Sequence, residues 1–215
     1  MGGAQSYELV YFDIPGLAEA IRLTFRVGKV QFKDTRLTRE QWAEMKNSES
    51  PPSALRTLPM LRINDGEIVH CESSAILRYV GKRTGLYPGN DMEAFKVDEA
   101  SGALNALWAK IGPSITESDN AVKMRMRKEL ADTVIPTAFA ALERLIEHNK
   151  ADKFAVFAGD RACTFDFELY CFVRYLKRGI LDGIPGTVVD KFPVIQRVVS
   201  NVEKIAAVAE WHASH

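Results

Sequence analysis

Long hydrophobic runs are missing from this chain of 215 residues. The longest mostly apolar run, Val134 to Leu142, contains Pro136 and falls far short of the roughly 20 residues that cross a bilayer, so no membrane partner is expected. An excess of charge is also missing. The 28 basic and 28 acidic side chains cancel, which leaves no global field to gather nucleic acid, and no nucleic-acid partner is expected. Cysteine is scarce: three residues, an odd number without a CxxC pair, fit a reducing compartment better than a disulfide framework. The four histidines, His70, His148, His212 and His215, lack ligand spacing with carboxylates or cysteines, so no metal is expected. Although His70 and Cys71 are adjacent, neighbours on a strand point to opposite faces. No GxGxxG or phosphate loop occurs, and the opening MGGAQSYELV has neither the basic nor the hydrophobic segment of a leader, which makes a cytoplasmic protein the expectation. What is there, 47% apolar and 26% charged residues, is the composition of a folded globular chain and excludes disorder.

Periodicity divides the chain in two. Glu8 to Phe12 (ELVYF) reads as a buried strand, broken by Asp13-Ile14-Pro15-Gly16. Leu17, Ile21 and Phe25 then recur at helical spacing, with Pro15 suited to the first turn. Val30 to Leu37 reads as a second strand, and Thr38 with Gln41 as a capping box opening a second helix. Leu58 to Asn64, the turn pair Asp65-Gly66 and Glu67 to Cys71 form a hairpin signal. Ser73 or Ser74 is placed to cap a third helix, Ala75 to Arg83, stopped by Gly85. The order is βαβαββα. From Asp91 onward strand signals nearly vanish, and helical spacing covers Phe95 to Ile111, Val122 to His148 with a kink at Pro136, Asp166 to Leu181, and Val194 to Val208. The expected fold is α/β plus all-α: a first domain over residues 6–86 and a helical domain over 91–213, joined by the turn-rich Tyr87-Pro88-Gly89-Asn90.

The set Tyr11-Phe12, Gly16-Leu17-Ala18-Glu19, Ile21-Arg22, Trp42, Lys46, Leu58-Pro59, Glu72-Ser73, Ala75-Ile76 and Tyr79 resembles the cytosolic glutathione transferases of the tyrosine type, the sigma class in particular. Phe192-Pro193 and the segment 205–211 resemble that class's last helices. The resemblance implies a thioredoxin-like N-terminal domain, a helical second domain, glutathione as cosubstrate with no other cofactor, and a homodimer.

Glutathione is a tripeptide with a carboxylate at each end and a thiol that reacts as thiolate, and each need has a candidate. Tyr11, at the end of the first strand, is the catalytic candidate: its phenol donates to the sulfur and favours thiolate over thiol. A tyrosine buried without chemistry is the alternative. Trp42 and Lys46, one helical turn apart, are the pair for the glycyl carboxylate, against a packed indole beside a solvated lysine. The resemblance makes Pro59 cis and gives the Leu58 backbone the role of pairing with the cysteinyl unit as an added strand would. Thr57 is a contact at the γ-glutamyl end. Ser73 at a helix N-terminus suits the γ-glutamyl carboxylate, and Glu72 the ammonium; an ordinary capping serine is compatible with both. Ile14, Trp108, Ile111 and Trp211 are the candidates for an apolar wall against a hydrophobic electrophile, with plain core as the alternative.

The chain departs from the family pattern at several points. Pro15 stands where many tyrosine-type members carry an arginine, which removes a cation near the thiol. Thr57 replaces a glutamine, and the segment 47–56, with Pro51-Pro52, is longer than usual. Cys163 precedes Asp166 where Ser or Thr usually caps the central helix of the second domain, which leaves Thr164 to cap from a shifted start or Asp166 to bond backwards by itself. The main functional expectation is conjugation of glutathione to hydrophobic electrophiles. The alternatives are a glutathione-dependent isomerase or peroxidase like prostaglandin D synthase, and a carrier or structural protein on the same scaffold.

Overall fold

The computed structural model describes residues 5–214; the first four residues of the segment read above for a leader, and His215, lie outside it. Strands β1 (Tyr7–Phe12), β2 (Lys33–Leu37), β3 (Met60–Ile63) and β4 (Ile68–Cys71) alternate with helices α1 (Glu19–Val27), α2 (Arg39–Asn47) and α3 (Ser73–Thr84) in the expected βαβαββα order. They form one mixed sheet in the order β2-β1-β3-β4: β1 and β2 run parallel, and β3 runs antiparallel to both β1 and β4. This is a thioredoxin-like sheet.

Local chemistry accounts for the joints. Thr38 accepts from the Gln41 N–H while the Gln41 side chain accepts from the Thr38 N–H, the capping box that opens α2. Asp65 and Gly66 both hold positive φ, and the Glu67 N–H closes the turn on the Asn64 carbonyl at 3.1 Å. Gly85, left-handed, ends α3. The start of α1 differs from expectation. Pro15 and Gly16 lead into a separate 3-10 turn over Gly16–Ala18, so Leu17 is 48% exposed while Ile21 and Phe25 are fully buried.

The second region is helical: α4 (Asp91–Thr116), α5 (Asn120–Glu129), α6 (Ile135–His148), α7 (Thr164–Lys177) and α8 (Pro193–Glu203). Its core centres on Phe139, Phe165, Phe167, Tyr170 and Phe172, all essentially inaccessible. The single helix expected over Val122 to His148 is interrupted by one π turn, Leu130–Val134, which places Pro136 in the first turn of α6, where it removes no α-helical hydrogen bond. Asp166 is fully buried and bonds backwards, accepting from the Cys163 N–H at 2.7 Å and the Ala155 N–H at 2.6 Å. The bond to Cys163 is the return half of a capping box in which the Cys163 side chain stands in the place of Ser or Thr. The last expected helix is two: a break at Lys204 and Ile205 separates α8 from α9 (Ala206–Ser214).

The chain forms two compact units, one up to Tyr87 together with the residues from Ala207 onward, the other from Pro88 to Ala206. Most of α9 thus groups with the first unit, whereas the sequence reading placed everything from 91 to 213 in the second. Trp211 explains the grouping: it is buried, and its indole N–H donates to Glu19 of α1 at 2.8 Å.

Candidate functional site

Register alone brings the nominated residues together. Val10 pairs with Met60, and Met60 with Cys71, so these three form one row across β1, β3 and β4. One step beyond that row, at the same end of the sheet, stand Tyr11, the cis Leu58–Pro59 bond and Glu72-Ser73. On the other side, Tyr11 pairs with Arg36, and β2 ends one residue later before Thr38 starts α2 with Trp42 and Lys46. Four segments separated by up to 60 residues leave the sheet at one edge. Two strand spacings of roughly 4.8 Å separate Tyr11 from Glu72 along that edge, about 10 Å, the span of an extended tripeptide.

Tyr11 is largely buried, and its hydroxyl oxygen accepts the Leu17 N–H at 3.3 Å. The phenolic proton is left to donate, and the accepted bond polarises that O–H. Gly16, at φ +43°, makes room for it: a β-carbon there would meet the Tyr11 oxygen at 2.6 Å. Beneath lies a group to which the sequence reading gave no role. Arg22 is fully buried, its guanidinium 5.9 Å from the Tyr11 ring centroid. It donates to the carbonyls of Ile14 (2.9 Å), Pro15 (3.3 Å) and Phe12 (3.4 Å), and to the carboxylates of Glu19 (3.2 Å) and Asp34 (3.0 Å). Arg36 ties Asp34 to Asp13 at 2.9 and 2.7 Å. The loop after β1 is therefore bolted from below. A Glu-Arg pair three residues apart, beside the apolar positions Ile21 and Phe25, was the available signal, since a buried cation demands such partners.

The remaining candidates divide. Trp42 packs with Leu58 against the Val10–Met60–Cys71 row, and Lys46 is exposed one turn further along α2. Leu58 lies past the last β1–β3 pair, so the ladder does not claim its backbone; Thr57 beside it is exposed. The cap of α3 is Glu72 and not a serine: its side chain accepts the Ala75 N–H at 3.2 Å from a residue held at φ +83°. Ser73 is the first helical residue and half-buried. Positive φ in a non-glycine residue marks a strained position.

The four candidates for the apolar wall differ in exposure. Ile14 is 50% exposed on the loop after β1. Ile111 is fully buried in the second unit, Trp108 packs at 4.8 Å on Phe172 and at 5.0 Å on Tyr175, and Trp211 is buried with its N–H committed to Glu19. Apolar spacing does not separate a wall from a core: Ile111 and Trp211 are buried, whereas Trp108 is half-buried.

The family model for the N-terminal domain of glutathione S-transferase matches residues 7–82, and that for the C-terminal domain matches residues 106–215. The chain belongs to the glutathione S-transferase family. It is a glutathione transferase, similar to glutathione S-transferase P of Caenorhabditis elegans, 33% identical over 182 residues that cover 83% of this chain and 82% of that one. The transferase is also 32% identical to S-crystallin SL11 of Nototodarus sloanii over 161 residues, 75% of each chain. Its fold matches the solved structure of prostaglandin synthase D of Nilaparvata lugens with a TM-score of 0.85 over 98% of both chains, at 24% identity.

Proposed function

We propose that this glutathione transferase lays glutathione along the edge defined by Tyr11, Leu58-Pro59 and Glu72-Ser73, and that Tyr11 holds its sulfur as thiolate. The row Val10–Met60–Cys71, which sends three strand ends to one edge, carries the reading. Trp42 and Lys46 take the glycyl carboxylate. The Leu58 backbone takes the cysteinyl unit, Ser73 the γ-glutamyl carboxylate and Glu72, through the oxygen its cap leaves over, the ammonium, with Thr57 beside them. The thiol proton leaves to solvent, the sulfur forms a bond to an electrophilic carbon of an apolar compound resting on Ile14, and the leaving group departs with its electron pair.

In this reading the enzyme is of the sigma class, detoxifies electrophiles in the cytoplasm and works as a homodimer. Met92 and Phe95, three residues apart on one face of α4 and 66% and 62% exposed, support the dimer. Titrating the thiolate ultraviolet absorbance of bound glutathione tests the core of the proposal. A thiol pKa well below that of free glutathione, returned toward it by Tyr11→Phe with binding retained, is the expected result. Binding without a shift removes Tyr11 from the chemistry, and no binding favours the structural-protein alternative. Glutathione recovered unchanged after turnover of a substrate identifies an isomerase instead.

A further inference from the structure

One chain of contacts leads from the end of the polypeptide to the Tyr11 hydroxyl, and all of it lies within the first unit. The Trp211 indole N–H donates to Glu19 Oε1 at 2.8 Å, while the other oxygen, Glu19 Oε2, accepts from Arg22 Nη1 at 3.2 Å. The same Nη1 donates to the Ile14 and Pro15 carbonyls. The next two residues, Gly16 and Leu17, are the ones that bound the Tyr11 oxygen and donate to it. Arg26, one turn beyond Arg22, covers the Trp211 ring at 5.3 Å.

Each link is directional. Glu19 and Arg22 are both buried, so neither can exchange a lost partner for water. The Trp211 N–H fixes one carboxylate oxygen and thereby aims the other at Arg22. Arg22 in turn fixes two successive carbonyls of the loop. A shift of the loop moves the amide at Leu17 and the space at Gly16 with it. Supporting shells of this kind set the geometry of a reacting group, and misplacements of about 1 Å change rates strongly.

We propose that Trp211 is a positioning residue for Tyr11, acting through Glu19 and Arg22, and not part of a substrate wall. The inference rests on the proposed role of Tyr11 as holder of the thiolate.

The test uses Trp211→Phe, which keeps an aromatic ring and removes the N–H together with part of the indole, with Glu19→Gln as a second variant that weakens the next link without changing the ring. Thiolate absorbance of bound glutathione and steady-state conjugation of an activated aryl chloride are measured on the full chain. Trp211→Phe is expected to raise the bound thiol pKa by about half a unit and to lower kcat about threefold below that pKa. KM for the aryl chloride stays unchanged. Glu19→Gln moves the pKa the same way. A changed aryl chloride KM with an unmoved thiol pKa overturns the proposal and returns Trp211 to the wall; no change in either parameter overturns it in favour of plain packing. Tyr11→Phe separates the two levels. If it leaves the thiol pKa unmoved, the underlying reading falls and the inference with it, whereas a shift with Tyr11→Phe but none with Trp211→Phe defeats the inference alone.

Discussion

Gly16 and Tyr11 occupy interlocking space: the position that a β-carbon of residue 16 would take lies 2.6 Å from the phenolic oxygen and 2.8 Å from the ring. At φ +43° the backbone of Gly16 is also one that L side chains rarely adopt. Gly16→Ala is therefore expected to displace the phenol and strain the turn together. Conjugation should fall about 10- to 100-fold in kcat, while the unfolding midpoint drops by the equivalent of about 1 kcal/mol. Parental kinetics in this variant, with the lowered midpoint, would show that the hydroxyl position is unimportant.

Arg22 compensates Glu19 and Asp34 inside the fold. Arg22→Met leaves Glu19 without its cation and Asp34 with Arg36 alone, and an uncompensated buried charge costs about 3–5 kcal/mol. Urea unfolding should show a large loss for Arg22→Met and a smaller one for Arg22→Lys, which keeps the charge but not the fork that reaches three carbonyls. Equal midpoints for the two variants would mean that the charge contributes nothing and that the fork alone matters.

Glu72 caps α3, and Ser73 does not. Removing an N-cap acceptor costs about 1 kcal/mol, so Glu72→Ala should lower the unfolding midpoint. Ser73→Ala should leave stability within about 0.5 kcal/mol and act on glutathione KM instead. Reversed effects in the two variants would invalidate this division of labour.

Burial pushes the Asp166 carboxyl up to about 6 from an ordinary value of 3.8, against the lowering effect of the Cys163 and Ala155 N–H bonds. The folded chain thus holds a proton that the unfolded chain has released. Stability from this group is complete below about pH 4 and is lost as pH rises through about 6, a difference on the order of 3 kcal/mol. Asp166→Asn does not titrate. The cost of that substitution, read from denaturant midpoints, should therefore be greater at pH 4.5 than at pH 7.5, and a cost independent of pH would refute the shift.

Legibility followed the range of the interactions. The βαβαββα order, the Thr38–Gln41 box, the Asp65-Gly66 turn and the stop at Gly85 are each decided within a few residues, and the sequence displays them. The gathering of Tyr11, Pro59 and Glu72 at one edge follows once strand register is known, and the family resemblance stood in for that register. Ile111, Trp108 and Trp211 could not be divided between wall and core from the sequence, because an apolar residue at helical spacing carries no mark of what it faces. The Trp211–Glu19 bond spans 192 positions, and no local pattern encodes a pairing at that distance. The capping role of Glu72 was hidden differently: it depends on a positive φ that side-chain chemistry does not favour.

The π turn at Leu130–Val134 gives the α5–α6 segment one residue beyond what an uninterrupted α-helix would use, and it comes directly before Pro136. The extra residue and the proline belong together. Deleting one residue there would restore α-helical register without rotating α6 about its axis, but would set the proline ring against the carbonyl four positions earlier. The deletion alone is thus expected to lower the melting temperature, and the same deletion with Pro136→Ala to recover much of it. Length and composition of this stretch can change only as a pair, and the continuity of α5 and α6 depends on both.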